Sequence, residues 1–325
     1  MGKRSVVCTI VILVLLWLLP SAAPCEERDF MAGAGDAGVE KRGQKKARVL
    51  LVVSRKALPY TRFEEMIRRA LKARLGPSCR LSSVYLDGVD SRLEQGFAWA
   101  EKADGLVILI GTRASRVLHL VPSHLPVIVS FTVERTLKGL EGRAGRPFWA
   151  LSMEIPLKER LEVCAEIFPG MRAALFDDDP GIPDRIRSLK IVRIPPVKGL
   201  YPLLQEALDW MVDVLIMTPD ARLFRSAELV KHTILWGIKN RIAVIGLSAG
   251  YVKNGALLAI EPDYGSLARQ TAGLASRLMD RGLEQEGIRI VVPDNRRISV
   301  NLRTARRIGI ALPERIIQEA DLIVE

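Results

Sequence analysis

Histidine is nearly missing from this sequence: His119, His124 and His232 are the three among 325 residues, and cysteine contributes four. So few cysteines exclude a small scaffold built on disulfides. No set of cysteine, histidine and acidic residues has metal-ligand spacing, so neither a metal nor another cofactor is expected. Aromatic residues stand at only 6%. Long apolar runs are confined to the first 25 residues, and no later stretch approaches the 18 residues of a membrane span. What is present is ordinary for a globular chain, 49% apolar and 26% charged, which excludes wholesale disorder. At about 150 residues per domain the length suggests two domains. The formal net charge of +11 raises the question of nucleic acid or anionic surfaces without answering it.

The beginning of the chain reads as a targeting segment. Lys3 and Arg4 precede an apolar run from Ser5 to Leu19, and Pro20, Ser21, Ala22 and Ala23 follow. A basic start, an apolar centre and a small-residue exit make a secretory signal peptide, and the run falls short of the ~20 residues a spanning helix needs. Residues 1–25 are therefore expected to be the signal peptide of an exported protein. Cys25 stands just past the small residues, where a lipid-bearing cysteine would sit, although Pro24 precedes it. Cys8 lies within the leader, and Cys79 and Cys164 read as buried thiols.

Residues 26–46 carry glycine and charge without apolar periodicity, the composition of a flexible linker. The linker holds Gly33-Ala34-Gly35-Asp36-Ala37-Gly38, a formal G-x-G-x-x-G. A dinucleotide loop follows a strand, whereas this stretch precedes the first one, so it is not read as a phosphate loop. The basic residues Lys41, Arg42, Lys45, Lys46 and Arg48 read as a solvated tether. Without aromatic interleaving or a recognition motif, no nucleic-acid partner is expected.

From residue 47 strand-like and helical patterns alternate. Val49 to Val53 is continuously apolar, as a strand buried on both faces must be. Phe63, Met66, Ile67, Ala70, Leu71 and Leu75 recur at helical spacing until Gly76-Pro77 ends the helix. Strand-like runs return at 80–86, 105–110, 126–131, 172–176, 190–194, 212–217, 241–246, 256–260 and 288–292. Helical patterns fall near 91–103, 156–168, 201–210, 222–238 and 263–282. Such alternation predicts an α/β chain of two doubly wound parallel-sheet lobes, with ligands bound in an interlobe cleft at the strands' carboxyl ends. The Gly/Arg-rich stretch Lys138 to Pro147 is the expected crossover. One lobe is expected to hold residues 47–147 plus about 256–290, the other 148–255 plus about 291–325.

One motif looks catalytic. Gly246-Leu247-Ser248-Ala249-Gly250 matches G-x-S-x-G after a credible strand. In α/β-hydrolases the acid and the histidine follow that serine in the chain. All three histidines here precede Ser248, and Gly255 cuts the next helix to little more than a turn. Ser248 is better read as a hydrogen-bonding hydroxyl at a strand end, and no catalytic residue is expected. The acidic stretch Asp177-Asp178-Asp179-Pro180-Gly181 lacks calcium-loop spacing and reads as a turn.

Ala243-Val244-Ile245-Gly246-Leu247-Ser248-Ala249-Gly250-Tyr251-Val252-Lys253-Asn254-Gly255 continues through Pro262-Asp263-Tyr264-Gly265-Ser266-Leu267-Ala268-Arg269-Gln270, and Asn301-Leu302-Arg303-Thr304-Ala305 with Ile308-Gly309 closes the pattern. Over Arg241 to Glu325 the sequence resembles the ABC-transporter substrate-binding family of the tryptophan/tyrosine-permease-like kind, with a type I periplasmic-binding fold. Upstream the likeness is diffuse, carried by Gly105 to Gly111-Thr112, Leu125-Pro126-Val127-Ile128 and Thr218-Pro219-Asp220. It implies a bilobed, non-enzymatic receptor that closes on a small-molecule ligand and delivers it to an ABC permease in the membrane. Such a protein is periplasmic or tethered on the outer side of the inner membrane, where a lipid on Cys25 would hold it. The segments Ser54–Tyr60 and Ser130–Arg135 depart from the family form, so the resemblance does not name the ligand, an amino acid or a related small molecule. The same closure would serve a ligand-sensing module for a signalling partner, and that reading stays open.

Within the architecture that the resemblance implies, candidate roles follow. Thr112 and Ser115, after the 105–110 strand, offer hydroxyls and helix-start N–H groups to an anionic ligand group, with Ser54 a further hydroxyl of this kind. In the other lobe Asp220 and Ser248 stand at strand ends, placed for a cationic or hydroxyl group, and Tyr251 could stack on the ligand. Asp263 is expected to cap the helix beginning at Tyr264, at the cleft.

Overall fold

The structure, a computed structural model, describes residues 47–325 apart from 88–90, 104, 142–144, 178, 180, 198, 221, 225 and 282–287. The expected signal peptide, the linker with its glycine motif, and Cys25 lie outside the described residues. Lys45–Glu325 forms one compact unit.

The continuous apolar runs become central strands. Leu106–Ile110 is buried at every position, and so are Val49–Val53 and Val127–Val129. A strand with no wet face needs cover on both sides, and burying one such side chain contributes about 1.5–3 kcal/mol. The first sheet is built from β1 (Arg48–Val53), β2 (Arg80–Tyr85), β3 (Leu106–Ile110), β4 (Val127–Thr132), β5 (Phe148–Ser152) and, from far downstream, Ile288–Val291. Its spatial order is Ile288–Val291, β5, β4, β3, β1, β2, and every pairing is parallel. Val49, Leu51 and Val53 face α1 (Tyr60–Leu75) and the long helix Tyr264–Arg281. Leu50 and Val52 face α2 (Ser91–Glu101) and the short α3 (Thr112–Ser115). After β4 the chain forms α4 (Glu134–Glu141).

The second sheet follows the same logic. The chain enters it through α5 (Leu157–Ile167) and lays down β6 (Arg172–Leu175), β7 (Arg185–Ile186), β8 (Leu189–Arg193), β9 (Val214–Ile216), β10 (Ala243–Gly246) and β11 (Leu258–Pro262). Helices α6 (Leu200–Asp209), α7 (Ala227–Asn240) and α8 (Ala249–Lys253) lie between these strands, and α9 is the helix Tyr264–Arg281 already met. After β12 (Ile288–Val291) come β13 (Arg296–Asn301), α10 (Leu302–Ile308), α11 (Glu314–Gln318) and β14 (Leu322–Val324). The order is β14-β13-β11-β10-β9-β6-β8-β7. Only β13 against β11 and β7 against β8 run antiparallel among the described strands. Leu175, Ile216 and Ile245 face α5, α10 and α11, while Ala174 and Leu215 face α6.

The chain therefore passes between the sheets at residues 153–156, at Asp263 and at residues 292–295. Two expected lobe boundaries move. Phe148–Ser152 was assigned to the second lobe, yet it completes the first sheet, because Phe148, Ala150 and Leu151 are buried and pair between β4 and β12. Residues 256–260 were assigned to the first lobe, yet Leu258–Pro262 pairs with β10 and β13 in the second. The helix expected over 222–238 begins only at Ala227, where the Ser226 side chain accepts from the Leu229 N–H. Strands β13 and β14 fall outside the expected runs: β13 opens on Arg296-Arg297 and keeps only a brief apolar stretch, and β14 is three residues long.

The first lobe buries one acid. Glu64, on α1 and 4% exposed, accepts from Arg68 Nε at 2.8 Å and from the Ser83 and Tyr85 hydroxyls at 2.5 and 2.6 Å. Burial alone would raise its pKa, but these three donors together hold the carboxyl below its usual range. Its contribution is therefore complete above the unfolded value near ~4.3 and is lost as pH falls through the lower folded value. Glu64→Gln should cost about 1–3 kcal/mol at neutral pH. Urea titrations at falling pH should show the gap to the parent chain closing in acid; an unchanged gap would contradict the argument.

Candidate functional site

In both sheets the parallel strands point their carboxyl ends at the same space. Two hollows with no lining residue in common open there. The first, of about 300 Å³, takes Glu134, Arg135 and Lys138 from α4 of the first lobe. Its opposite wall comes from the loops after β6 and β9 of the second lobe, with Phe176, Asp177, Thr218 and Asp220, and Arg160 comes from α5. The second, of about 590 Å³, sets Phe63, Phe131 and Tyr264 of the first lobe against Ser248, Glu261 and Arg297 of the second. Both are therefore cleft sites lined from either side.

Asp220 is the acid at the centre of the first hollow and is 9% exposed. Its Oδ1 accepts from the Arg222 backbone N–H at 2.8 Å, and both oxygens receive Arg222 Nε, at 3.0 and 2.9 Å. Arg135 reaches across from the first lobe to Oδ2 at 3.6 Å. The Arg222 guanidinium beside it holds the Asp220 carboxyl below the usual range despite burial. Glu154, on the first crossover, accepts the Glu134 N–H through Oε2 at 2.6 Å, and burial pushes its carboxyl up. On the second hollow Glu261 accepts the Ala249 N–H at 3.1 Å, and burial likewise raises its pKa.

An aromatic group forms the first-lobe wall of the larger hollow. Phe131 sits at φ 58°, a conformation bulky side chains rarely adopt, where the β4–β5 register shifts between Ser130 and Thr132. Its ring stacks on Phe63 at 4.4 Å and meets Tyr264 edge-on at 5.3 Å and Tyr60 at 5.8 Å. Burial drives the Tyr264 hydroxyl pKa upward.

The seven residues singled out in the sequence fare differently. Ser54 is buried and its hydroxyl is committed to the fold, donating to the Ile110 carbonyl at 2.9 Å and accepting the Ala114 N–H at 2.9 Å. Gly111 between them must be glycine: at φ +90° a Cβ would lie 2.4 Å from the Tyr60 ring and 2.7 Å from Ser54 Oγ. Ser115 is buried with Oγ on the Thr112 carbonyl at 2.8 Å. Ser54, Thr112 and Ser115 line neither hollow. Asp220 lines the smaller and Ser248 and Asp263 the larger, although Asp263 also caps α9, accepting from the Gly265 and Ser266 N–H groups at 2.8 and 3.1 Å. Tyr251 lies outside both; it packs over Gly246 and lines a separate hollow of the second lobe, with Ser248 at its rim.

The serine motif finds no base. His119 contacts the Arg116 carbonyl, His124 lies 3.4 Å from Glu101, and His232 stands edge-on to Tyr201. Among the described residues no group of three or more His, Cys, Asp and Glu could hold a metal ion, and no helix is long and apolar enough to cross a membrane. Cys79 and Cys164 are free and buried, as expected.

Several cleft residues escaped the sequence reading. Arg135, Glu154 and Arg222 sit in loops or helix starts whose direction only the tertiary fold sets. Phe131 reads as an ordinary strand residue. Arg160 did carry a signal: it falls on the apolar stripe of α5 with Leu161 and Cys164, an odd place for a cation.

Residues 205–324 match the family model described as ABC transporter substrate binding protein. The likeness read from the carboxyl-terminal residues is thereby found again. No curated protein matches the chain. Among solved structures, the ligand-free, open form of CD0873, a substrate-binding protein with adhesive properties from Clostridium difficile, is 14% identical at a TM-score of 0.61, covering 86% of this chain and 99% of that one. A conserved domain protein from Vibrio cholerae is 17% identical at 0.57, covering 86% and 100%. The ABC domain from Streptococcus pneumonia in complex with L-Trp is 15% identical at 0.53, covering 86% and 99%. Identities this low show the fold, two parallel-dominated α/β lobes. A substrate-binding role, by which the ABC transporter substrate-binding family is described, fits a cleft lined from both lobes.

Two substitutions separate fold from cleft. Ser54→Ala should cost about 1–3 kcal/mol in urea unfolding, because it leaves the buried Ala114 N–H without its partner, although the Ile110 carbonyl keeps the Ser54 N–H at 3.0 Å. Arg135→Ala, which removes a side chain 72% exposed, should cost less than about 1 kcal/mol. Equal losses would mean that the interlobe pair carries part of the stability.

Proposed function

We propose that the chain is the extracytoplasmic solute receptor of an ABC importer. It binds a small solute in the interlobe cleft and presents it to a membrane permease. The observation that carries this reading is the cleft itself: a charged hollow and an aromatic-walled hollow, each lined from both lobes, lie where the sheets end, in a chain whose residues 205–324 match the family. A cleft that offers both charged and aromatic lining suits a molecule with a polar head and an apolar body, as an amino acid or a related solute has. That the Streptococcus domain holds L-Trp supports the same class.

Binding of this kind requires closure and no bond making, so the role is a binding role and not an enzymatic one. Arg135 and Asp220 lie on opposite lobes and would tighten as the cleft shuts around its guest. The basic and apolar leader would deliver the protein outside the cytoplasm, on the outer side of the inner membrane, with a lipid on Cys25 as tether.

The test is thermal unfolding of residues 26–325, stripped of retained ligand, against amino acids, small carboxylates, purines and sugars. A solute at about 100 times its Kd adds about 2.7 kcal/mol, enough to raise the Tm by several degrees. A shift confined to one solute class is the expected result. No shift with any solute would overturn the receptor reading in favour of a protein partner. Once a solute is known, an Asp220→Asn chain that binds it within about twofold of the parent would remove Asp220 from the site.

A further inference from the structure

The cations around the smaller hollow are matched, with one exception. Arg222 and Arg135 both engage Asp220, and Lys138 pairs with Glu134 at 2.9 Å. Arg160 is different. It is 5% exposed, lies on α5 in the wall of the hollow, and its side chain makes a single hydrogen bond among the described residues, Nη2 to the Met217 carbonyl at 2.9 Å. Its Nε is shut off from solvent without any partner, and no described carboxylate is in ion-pair contact with it. Glu154 is the acid on the same wall, and its Oε2 is occupied by the Glu134 N–H. A guanidinium so buried loses its hydration and needs an anion to make up the loss.

We infer that Arg160 receives the carboxylate of the bound solute and so selects carboxylate-bearing solutes. This rests on the reading of the cleft as a solute site and names what that site takes. The planar fork of a guanidinium matches a carboxylate in two parallel hydrogen bonds, which an ammonium cannot do. A phosphate dianion suits the site less well: Glu134, Asp177 and Asp179 line the same hollow and would repel its second charge. The acids also give a positively charged group on the solute a place to lie, away from Arg160. A hollow of about 300 Å³ sets the size of the guest at the small end of ligand pockets.

The experiment is titration calorimetry on the full chain freed of retained ligand. The probes are L-tryptophan, L-leucine and 4-hydroxybenzoate, each beside its primary carboxamide, with glucose and adenosine as neutral solutes and inorganic phosphate as the other oxyanion. At least one acid should bind, and its amide should bind about ten- to a hundredfold more weakly. Arg160→Gln should remove that preference and Arg160→Lys should restore part of it. The acid-against-amide comparison needs only the parent chain, so it stands even where a variant fails to fold. An amide equal to its acid, or phosphate bound in place of every carboxylate, would overturn the inference. Tight binding of glucose or adenosine, unchanged in Arg160→Gln, would overturn it while leaving the receptor reading intact. Absence of binding to every probe would overturn both.

Discussion

A strand such as Leu106–Ile110, apolar at every position and closed to water on both sides, can keep its backbone groups satisfied only inside a sheet covered by helices on each face. Six parallel strands of the first lobe obey this requirement, and the second lobe repeats it with antiparallel partners only at β13 and β7. Parallel pairing forces each connection back across the sheet, so the carboxyl ends of the strands collect on one edge. Two sheets built this way, joined by three short crossings, place two such edges face to face. The cleft is a by-product of the need to bury those strands.

What the two lobes contribute to the cleft is unequal in kind. The first lobe gives the aromatic wall, in which the unusual backbone of Phe131 is held between Phe63, Tyr60 and Tyr264. Packing on three sides makes up for a conformation that would otherwise cost about 1–3 kcal/mol. The second lobe gives most of the charge. Asp220 is held ionised by Arg222, and Arg160 is enclosed with a single backbone partner.

The features that resisted the sequence are of two physical kinds. Hydroxyls are ambiguous by nature, because one group can cap a helix or bind a guest. Ser54 and Ser115 turned out to spend their hydrogen bonds inside the fold, on Ile110, Ala114 and Thr112. Lobe boundaries are ambiguous because sequence order does not reveal strand neighbours. Phe148–Ser152 follows a stretch that looks like a crossover, yet its pairing with Ile128–Thr132 ties it to the first sheet.

Periodicity by itself determined the alternation of buried strands and amphipathic helices and the two-lobed α/β class, and local turn chemistry the capping role of Asp263. Local spacing settles such matters because each depends on residues within a few turns of one another. Only the tertiary structure decided which charges meet in the cleft, that Arg135 and Asp220 approach from opposite lobes, and that Arg160 has no described carboxylate in ion-pair contact. Those outcomes depend on residues from different lobes or from separate elements of one lobe, brought together by burial of the sheets, and no one-dimensional pattern records the result.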